Sequence, residues 1–370
     1  MEVMKKIVFI NKNLWSFYNF RYQLASNLSK RYHVYCLYGG SNFHHQKKNK
    51  GIKYINIGLS QKPIDIFEDL KYVLKLTFFL KRTKPAIVHC FNPKPVLLSF
   101  FSLFFFKKIR LFLTITGLGH SYLTKNKILK FIFNLMYYLS FLRANLIFFQ
   151  NKSDLSLFKK KGYLKNKKFY HSIGLGMKID KNLKIKKIKK RIYFAFVSRI
   201  TKEKGIFEYL YAIKKFRNKT KEQIKFYIVK NFDKNSPVGL DFNKLKNLIS
   251  KLKINITFLN YSNNIKSLFN KFDILVFPSY REGASKTLME ACNYGKVILT
   301  SDVAGCNNIV ENNKNGYLFR SHSSNEITRS FEKVIKNKRK LFQMSKYSKK
   351  IALRKFDENI ILDKIEKFYK

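Results

Sequence analysis

The stretch FDILVFPSYREGASKTLMEACNYGKVILTSD, from Phe272 to Asp302, carries the signals from which the fold can be predicted. An apolar run, FDILVF, is followed by a loop that contains glycine. Helical spacing of apolar residues comes next, and then a second apolar run, VILTSD. Short apolar runs separated by helices are typical of parallel strands that are covered by helices on both faces. The stretch therefore predicts a strand, a loop, a helix and a second strand.

The same alternation extends outward along the whole chain. Strand patterns in the first half are KKIVFIN, HVYCLYGG, IKYINIG, AIVHCFN, IRLFLTITGLGH and ANLIFFQN, and those of the second half are RIYFAFVSRI, IKFYIVK, ITFLNY and the two runs above. Helical patterns separate most of them. The sequence therefore predicts an α/β protein of two facing doubly wound domains, with a cleft at the carboxyl ends of the strands, where such sheets bind ligands.

A charged segment separates the two halves. Residues 178–191 hold eight basic residues and one acid, without glycine or proline, and we interpret them as a linker. The predicted N-terminal domain covers residues 1–177 and the C-terminal domain residues 192–345. The last predicted segment, 346–370, is helical and crosses back to the first domain.

Composition narrows the class of partner. The chain has 370 residues, 46% of them hydrophobic, and a formal charge of +53 from 75 Lys+Arg and 22 Asp+Glu. Such a charge favours nucleic acid, anionic lipid or phosphorylated substrates. An AT-rich coding sequence would also raise the lysine content, but it explains the shortage of acids less well. The basic residues are spread along the chain and form no stripe with aromatic stacking positions, so nucleic-acid binding is a remote alternative.

Cysteine spacing and apolar runs indicate in which cellular compartment the protein is expected. Four scattered cysteines without C-x-x-C spacing predict neither a disulfide framework nor a zinc site. The N-terminal apolar run is too short for a signal peptide, which predicts a cytoplasmic protein. Two aromatic runs, Pro95 to Lys108 and Ile128 to Arg143, fall short of the ~18 apolar residues of a spanning helix. They fit either buried helices or a face that lies on a membrane.

Two glutamates stand out in the opening stretch. Glu282 lies in the loop beside Gly283, and Glu290 lies about 200° around the following helix from Leu288, away from the predicted core face. Free amides at the start of a helix bind anions, and carboxylates accept hydrogen bonds from sugar hydroxyls. The junction suits a ligand with both phosphate and sugar. The alternative is a pair of solvent-facing glutamates on an exposed helix end.

The stretch resembles the E-x7-E signature of the retaining glycosyltransferases of family 4, which have the GT-B fold. FVSRITKEKGIFEYLYA resembles the family segment in which an arginine and a lysine hold the nucleotide diphosphate. SDVAGCNNIVENNKNGYLF resembles the family segment after the E-x7-E signature, and SIGLGMKID resembles the interdomain crossing. SFYNFR, KPAIVHCFNPKP and TITGLGHSY resemble a subgroup that builds capsule, O-antigen and protein-linked glycans.

The resemblance implies roles for residues of the second half. Glu290 would bind the ribose hydroxyls of the nucleotide, and Glu282 the hydroxyls of the donor sugar near the reacting carbon. Arg199 and Lys204 would neutralise the charge on the leaving diphosphate, because preorganised cations lower the barrier to cleavage at the anomeric carbon. The backbone amides that would touch the sugar or the diphosphate are those of Gly283, Ala284 and Ser285.

Residues of the first half would complete the site. A loop with Gly117 and Gly119 would close the cleft, and His120 is the candidate for contact with the donor sugar. The residues on the acceptor side would be Asn19, Phe20 and Arg21, although the sequence lacks the Gly-Gly pair that many family members have there. His89 fits a core or rim position better than catalysis. Gly174-Leu175-Gly176 leads into the charged segment, so we interpret it as a hinge and not as a dinucleotide motif.

No D-x-D pair occurs in the chain, which agrees with Arg199 and Lys204 in place of a metal ion. The prediction is a metal-independent glycosyltransferase with no cofactor besides its donor substrate, peripheral on the inner face of the cell membrane. It would move a sugar from a UDP-sugar to a polyprenyl-diphosphate-linked saccharide. The alternative within the fold is an epimerase or hydrolase of nucleotide sugars that uses no acceptor.

Overall fold

A computed structural model describes residues 4–40, 49–62, 64–118, 126–188, 191–217, 223–231, 239–262 and 264–370 of the chain. The chain divides into two compact units. Unit 1 comprises Met1–Leu175 and Asn359–Lys370, and unit 2 comprises Gly176–Glu358. Each unit is built on one fully parallel sheet, as the alternating pattern predicts.

The sheet of unit 1 has seven strands in the order β3-β2-β1-β4-β5-β6-β7. The strands are β1 (Lys6–Asn13), β2 (His33–Gly39), β3 (Ile52–Asn56), β4 (Ile87–Phe91), β5 (Arg110–Ile115), β6 (Leu146–Phe149) and β7 (Phe169–His171). The central strands are apolar on both faces because helices cover both sides of the sheet. The order reverses next to β1, which puts the segment after β1 at the switch point where ligands bind in such sheets.

In the described part of unit 1, the helices between these strands are α1 (Leu14–Phe20), α2 (Tyr22–Leu28), α3 (Ile66–Thr83), α4 (Pro93–Leu103), α5 (Lys127–Arg143) and α6 (Lys152–Lys160). Asparagine side chains cap three of the first turns, because a side-chain oxygen satisfies helix N–H groups that have no partner within the helix. Asn13 accepts from Ser16 N–H at 2.9 Å, Asn126 caps α5, and Asn151 caps α6.

The sheet of unit 2 has six strands in the order β10-β9-β8-β11-β12-β13. The strands are β8 (Ile192–Phe196), β9 (Ile224–Lys230), β10 (Thr257–Asn260), β11 (Ile274–Phe277), β12 (Val297–Ser301) and β13 (Gly316–Phe319). The helices are α7 (Ile206–Arg217), α8 (Phe242–Lys251), α9 (Ile265–Phe269), α10 (Lys286–Asn293), α11 (Ser324–Lys336) and α12 (Leu341–Ile351). The stretch from Phe272 to Asp302 forms β11, a loop, α10 and β12, as predicted.

Helix α13 (Glu358–Glu366) follows one π-helical turn at Ala352–Phe356, and a 3₁₀ turn at Lys367–Tyr369 comes after it. From Asn359 onward this segment belongs to unit 1. Arg31 of unit 1 pairs with Glu366 at 3.0 Å, and the Tyr32 hydroxyl donates to the Tyr369 carbonyl oxygen at 2.9 Å. The terminal residues are therefore part of the packing of the first sheet.

Strand residues of unit 1 alternate between two cores. Val8 and Ile10 of β1 face a core that includes residues of α3, α4, α5 and α6. Ile7 and Phe9 face the opposite core, with residues of α1, α2 and α13. The alternation follows from the two-residue period of a strand. The two groups of helices therefore lie on opposite faces of the sheet.

Several predicted boundaries differ from the structure. Residues 178–188, predicted as part of a linker, belong to unit 2, and so do residues 346–358, which we expected to cross back. The segment directly after β1 forms helix α1, which the strand and helix patterns above do not include. Strands β7 and β13 and helix α6 were not predicted, because they are short and their patterns are mixed.

The two aromatic runs form helices that are only partly buried. Eight residues of α4 are buried, and α5 buries Phe133, Tyr137, Ser140 and Phe141, but other aromatic side chains of both runs are exposed. Within the described parts of the chain, no helix is both long and apolar enough to cross a bilayer. All four cysteines are buried thiols.

Candidate functional site

The segment after β8 positions the two predicted cations of unit 2. Arg199 lies three residues after the end of β8 and is exposed. Lys204 is the last residue of the one-turn 3₁₀ helix Lys202–Lys204. Gly205 follows with φ of +75°, and a Cβ at this position would lie 2.2 Å from the Pro278 carbonyl oxygen. Only glycine therefore permits this close approach between the connection after β8 and the connection after β11.

Lys204 and Glu282 form an ion pair where these two connections meet. The Lys204 Nζ contacts Glu282 Oε1, and the Ser279 hydroxyl donates to the same oxygen at 2.6 Å. The Lys204 and Glu282 side chains are only 17% and 14% exposed. The alternative of a solvent-facing Glu282 is therefore wrong, because this carboxylate is largely buried and has two polar partners.

The loop after β12 supports Glu282 from a third direction. The Glu282 N–H donates to the Ala304 carbonyl oxygen at 2.9 Å. Gly305 has φ of +78°, and a Cβ there would lie 2.4 Å from the Glu282 carbonyl oxygen. The sequence did not predict this contact, although the glycine in SDVAGC was the signal for a close backbone approach.

Tyr280 joins the loop after β11 to the start of α7. Its N–H donates to the Glu203 carbonyl oxygen at 2.9 Å, and its hydroxyl donates to Glu208 Oε1 at 2.7 Å. Its ring lies on the His322 ring, with 3.6 Å between the centroids. Burial and the hydrogen bond to Glu208 raise the pKa of Tyr280, so the hydroxyl stays protonated. Sequence reasoning missed Tyr280, Glu208 and His322, because no spacing rule connects them.

The loop leads into the first turn of α10. Gly283 and Ala284 are half-buried, and the buried Ser285 caps the helix, where its hydroxyl oxygen accepts from Leu288 N–H at 3.4 Å. This cap leaves further N–H groups of the first turn directed toward the loop. Those groups and the N-terminal end of the helix dipole favour an anion next to Glu282 and Lys204.

Glu290 lies on α10, one turn after Lys286. Its side chain is 13% exposed, and Lys286 Nζ is 4.0 Å from Glu290 Oε1. Burial raises the pKa of Glu290 to about 7, and Lys286 opposes that shift only in part. The alternative of a solvent-facing Glu290 is also wrong. A carboxyl with this pKa changes its protonation state near neutral pH. A ligand that donates hydrogen bonds to it would therefore favour the ionised carboxylate.

Arg21 follows α1 in unit 1 and is buried. Its guanidinium donates to the Phe20 carbonyl oxygen at 2.9 Å and lies 4.6 Å from the centre of the Phe91 ring. Burial lowers the pKa of Arg21 to about 9. Asn19 is half-buried, and its side-chain amide donates to the Trp15 carbonyl oxygen at 2.9 Å.

His89 is a core residue of β4, as the sequence predicts. It is buried, its Nε2 lies 2.7 Å from the Thr114 hydroxyl oxygen, and its Nδ1 contacts the Tyr369 hydroxyl. Burial, together with the Arg21 charge, holds the pKa of His89 well below its usual range, so the imidazole is neutral. The neutral ring packs flat against Phe91 at 3.9 Å.

Three further predictions concern the loop after β5 and metal binding. Gly117 is half-buried with φ of +107°, a conformation that glycine adopts without strain. Gly119 and His120 lie outside the described residues. Among the residues that are described, no group of three His, Cys, Asp or Glu side chains is arranged to hold a metal ion.

The arrangement in unit 2 combines three chemical capacities at the carboxyl ends of β8 and β11. It has a cation that can face a phosphate, carboxylates that can accept hydroxyl hydrogen bonds, and a helix N-terminus. The structure thus brings Lys204, Glu282 and the start of α10 together, with Glu290 along the same helix. The roles assigned to these residues, and to Arg199, remain predictions.

Two family models match the chain. "Glycosyl transferases group 1" matches residues 178–351, and "Glycosyl transferase 4-like" matches residues 6–151. Among curated proteins, the chain is 24% identical to the N,N'-diacetylbacillosaminyl-diphospho-undecaprenol alpha-1,3-N-acetylgalactosaminyltransferase of Campylobacter jejuni, with 98% of each chain covered. It is 23% identical to a capsular polysaccharide biosynthesis glycosyltransferase of Staphylococcus aureus, over 84% of this chain and 83% of the relative.

Solved structures share the fold. The sucrose-phosphate synthase of Thermosynechococcus elongatus superposes with a TM-score of 0.81 at 14% identity, covering 99% of this chain and 98% of the other. The Anabaena protein HepE, solved with UDP and glucose, gives a TM-score of 0.75 at 14% identity, with 99% of each chain covered. At these identities the likeness concerns the fold alone.

Proposed function

This chain belongs to the group 1 and 4-like glycosyltransferases and has the GT-B fold, and we propose that it transfers a hexose or an N-acetylhexosamine, with retention, from a UDP-sugar to a polyprenyl-diphosphate-linked saccharide. The observation that carries the donor half of the proposal is the buried Lys204–Glu282 ion pair, which lies directly before the start of α10. It combines partners for a phosphate and for a sugar hydroxyl at one place.

The diphosphate of the donor would pair with the cations of the site. Lys204 contacts Glu282 in the structure, and a bound diphosphate would share this ammonium group and the amides at the start of α10. Arg199, exposed at the end of the same connection, would add a second cation. The charge on the leaving nucleotide grows as the anomeric bond breaks, so cations held in place stabilise the transition state more than the ground state.

The hydroxyl groups of the sugar and of the ribose would donate hydrogen bonds to the two carboxylates. Glu282, held by Ser279 and Lys204, would accept hydrogen bonds from hydroxyls of the transferred sugar. Glu290 would accept from the ribose diol, which favours its ionised form over the protonated form of the empty site. The donor phosphate would help to remove the proton from the acceptor hydroxyl, so no protein side chain is assigned as the base.

Support for the acceptor comes from the names of two relatives, one of which matches 98% of the chain. The name of the Campylobacter jejuni protein describes transfer of N-acetylgalactosamine to a saccharide on undecaprenol diphosphate, and the Staphylococcus aureus relative is named for capsule synthesis. A lipid-linked acceptor of this kind puts the proposed reaction at the inner face of the cell membrane, with the enzyme held there peripherally. Asn19, Phe20 and Arg21, after the first strand, would face the acceptor.

An assay of UDP release tests the proposal. A panel of UDP-sugars is incubated with the protein, with and without a polyprenyl-diphosphate-linked acceptor, in wild type, Glu282→Gln and Glu290→Gln. We expect release from one donor, stimulated by the acceptor and strongly reduced in both variants. Glu326→Gln, at a half-buried residue of α11 in the same unit that pairs with Arg329 at 2.6 Å, is the matched control and should retain wild-type activity.

The assay also separates the alternatives. Equal release with and without acceptor would indicate a hydrolase, and interconversion of the nucleotide sugar would indicate an epimerase. Silence across the panel, together with no thermal stabilisation by UDP, would overturn the donor assignment. Salt-sensitive binding to nucleic acid without any response to UDP would support the nucleic-acid alternative instead.

A further inference from the structure

Helix α3 in unit 1 is apolar on two opposite faces. Its inner face buries Tyr72, Leu76 and Leu80 against the sheet. Its outer face exposes Phe67, Leu70, Leu74 and Phe78, and the two phenylalanines are 68% and 70% exposed. At about 100° per residue, the outer stripe lies about 180° around the helix from the buried one.

A surface helix normally has a polar outer face, so the outer stripe is not explained by packing of unit 1. The pattern in the sequence had predicted a helix here but not a second apolar face.

Helix α5 repeats this arrangement. It buries Phe133 and Phe141, and on the opposite side it exposes a stripe with Ile128, Phe131 and Leu135. Ile128 is 72% exposed. Both helices pack on the same face of the seven-stranded sheet, and α4 contacts each of them. Their outer stripes therefore point away from the sheet on the same side.

The end of α4 adds to the same side. Phe104 and Phe105 follow its last residue, and Phe105 is 83% exposed. Two lysines, Lys107 and Lys108, come next and are exposed. The exposed apolar side chains of α3, α4 and α5 and of the residues directly after α4 are called the outer helical surface below. Large exposed apolar surface marks contact with a partner or a membrane in soluble proteins.

Charge identifies the partner. Exposed basic residues of α3 and α5 that remain after the ion pair of Lys71 with Glu68 are Lys75, Lys81, Arg82, Lys127 and Lys130. The acids of α3, α4 and α5 are Glu68 and Asp69, and both are neutralised within unit 1, by Lys71 at 3.0 Å and by Lys94 at 2.5 Å. The outer helical surface is thus apolar with basic residues beside it. An apolar layer bounded by negative charge is the complementary partner, and an anionic bilayer has that composition.

We propose that the outer helical surface of unit 1 lies in the headgroup region of an anionic bilayer, with α3 and α5 parallel to the membrane and Phe67, Phe78 and Phe105 inserted below the headgroups. The inference rests on the proposed function in one respect, since a lipid-linked acceptor gives the enzyme a reason to be at the membrane. It goes further by naming the surface, the depth-setting side chains and the lipid class.

Vesicle flotation of the full-length chain tests the proposal without donor or acceptor. Vesicles of phosphatidylcholine are compared with vesicles of phosphatidylcholine and phosphatidylglycerol at about 7:3. We expect wild type to float with the anionic vesicles and much less with the neutral ones. Raising the salt from about 0.15 M to about 1 M should weaken binding, because the screening length falls from about 8 Å to about 3 Å.

Matched variants locate the surface. Phe67→Ser with Phe78→Ser, on the outer stripe of α3, should lower the partition into anionic vesicles by about tenfold or more. Ile360→Ser is the control, because Ile360 is an exposed apolar residue at 44% on α13, on the opposite face of the same sheet. It should bind vesicles as wild type does. Circular dichroism and thermal unfolding check that each variant is folded.

Three outcomes would overturn the inference. Wild type could stay unbound with anionic vesicles, or the α3 variant could float as well as wild type, or Ile360→Ser could reduce binding as much as the α3 variant. A fourth result is conversion of a lipid-free dimer to a monomer by the α3 variant, with vesicle binding unchanged. It would show that the surface joins two copies of the chain and would also reject the proposal.

A separate assay distinguishes this inference from the proposed function. Transfer to a short-chain, detergent-dispersed acceptor does not require vesicle binding, so the α3 variant should retain transfer there. If wild type showed no transfer to the detergent-dispersed acceptor, the result would count against the proposed function and would leave the vesicle result unaffected. Retained transfer without vesicle binding would count against the outer helical surface alone.

Discussion

Lys204 in unit 2 and Arg21 in unit 1 both follow the first strand of their unit along the chain, but the groups that surround the two positive charges differ. Lys204 meets the carboxylate of Glu282, so the positive charge is balanced inside the unit. Arg21 is buried, and within the described residues its guanidinium meets a carbonyl oxygen and an aromatic ring but no carboxylate. Unit 2 therefore balances the charge of Lys204 without a ligand, whereas unit 1 holds a cation at a cost in stability.

This difference indicates where ligands would act. In unit 2, a diphosphate would bind Lys204 and a sugar would bind Glu282, although these two side chains already pair with each other. Binding of the donor would therefore replace part of the ion pair with contacts to the ligand. In unit 1, an anion near Arg21 would supply a charge partner that the described part of the protein lacks. A buried cation without a charge partner is destabilising.

The largest expected effect comes from removing the cation of unit 2. Lys204→Ala should reduce kcat/KM for the proposed transfer by about 10³ or more, because the leaving diphosphate loses a preorganised charge. Lys204→Arg should keep part of the activity, since the charge remains but its geometry changes. Steady-state UDP release measures both variants. Equal activity of Lys204→Ala and wild type would remove Lys204 from the site.

Arg21→Met should change stability and activity in opposite directions. Methionine fills a similar volume without a charge, so the free energy of unfolding at pH 7 should rise by about 1–3 kcal/mol. Urea unfolding measures this change, and transfer to the lipid-linked acceptor should fall. The sign agrees with the lowered pKa of Arg21 at about 9, since the native state then binds fewer protons than the unfolded state and wild-type stability rises from pH 9 upward. A destabilised variant would contradict the comparison.

Glu290→Gln should remove a pH-dependent loss of stability. The pKa of Glu290 is raised by burial to about 7 from an ordinary value of 4.5, so the native state holds a proton that the unfolded state has lost. Between those values wild type loses stability as pH rises, by about 3 kcal/mol in all, and the loss is complete above pH 7. Thermal unfolding should therefore favour the variant at pH 8 and show little difference at pH 4. UDP should stabilise wild type more than the variant.

Tyr280→Phe should have the smallest effect of the four. It removes the hydroxyl that donates to Glu208 at 2.7 Å and leaves the backbone bond to Glu203. We expect a loss of about 1 kcal/mol in unfolding free energy and a severalfold drop in kcat, because the loop that holds Glu282 is less well tied to Lys204. The KM for the acceptor should not move. Tyr280→Ala, which also removes the ring stacked on His322, should cost more.

Local patterns in the sequence were enough to predict much of this protein. Alternating apolar runs and helical periods predicted two parallel α/β sheets, because each pattern reports how one element is buried. The loop with Arg281, Glu282 and Gly283 between a strand and a helix was also predicted, since glycine and the change of period mark it. The resemblance to glycosyltransferases added the roles that spacing alone left open.

Other features depend on residues that are far apart in the chain. Lys204 and Glu282 are brought together by the pairing of β8 with β11, and Gly305 reaches the same loop from beyond β12. The burial that raises the pKa of Glu290 also comes from packing around α10 and not from its own sequence. No periodicity within one element contains that information.

The apolar stripes of α3 show the limit most clearly. Local spacing and composition are enough to predict that α3 is a helix, that the sheets are parallel and that the chain is basic. Which apolar face of α3 is buried, and which carries Phe67 and Phe78 on the surface, depends on how the helix packs on the sheet. A helix with two apolar faces satisfies its spacing rule either way, and only the position of the sheet distinguishes the core from the outer surface.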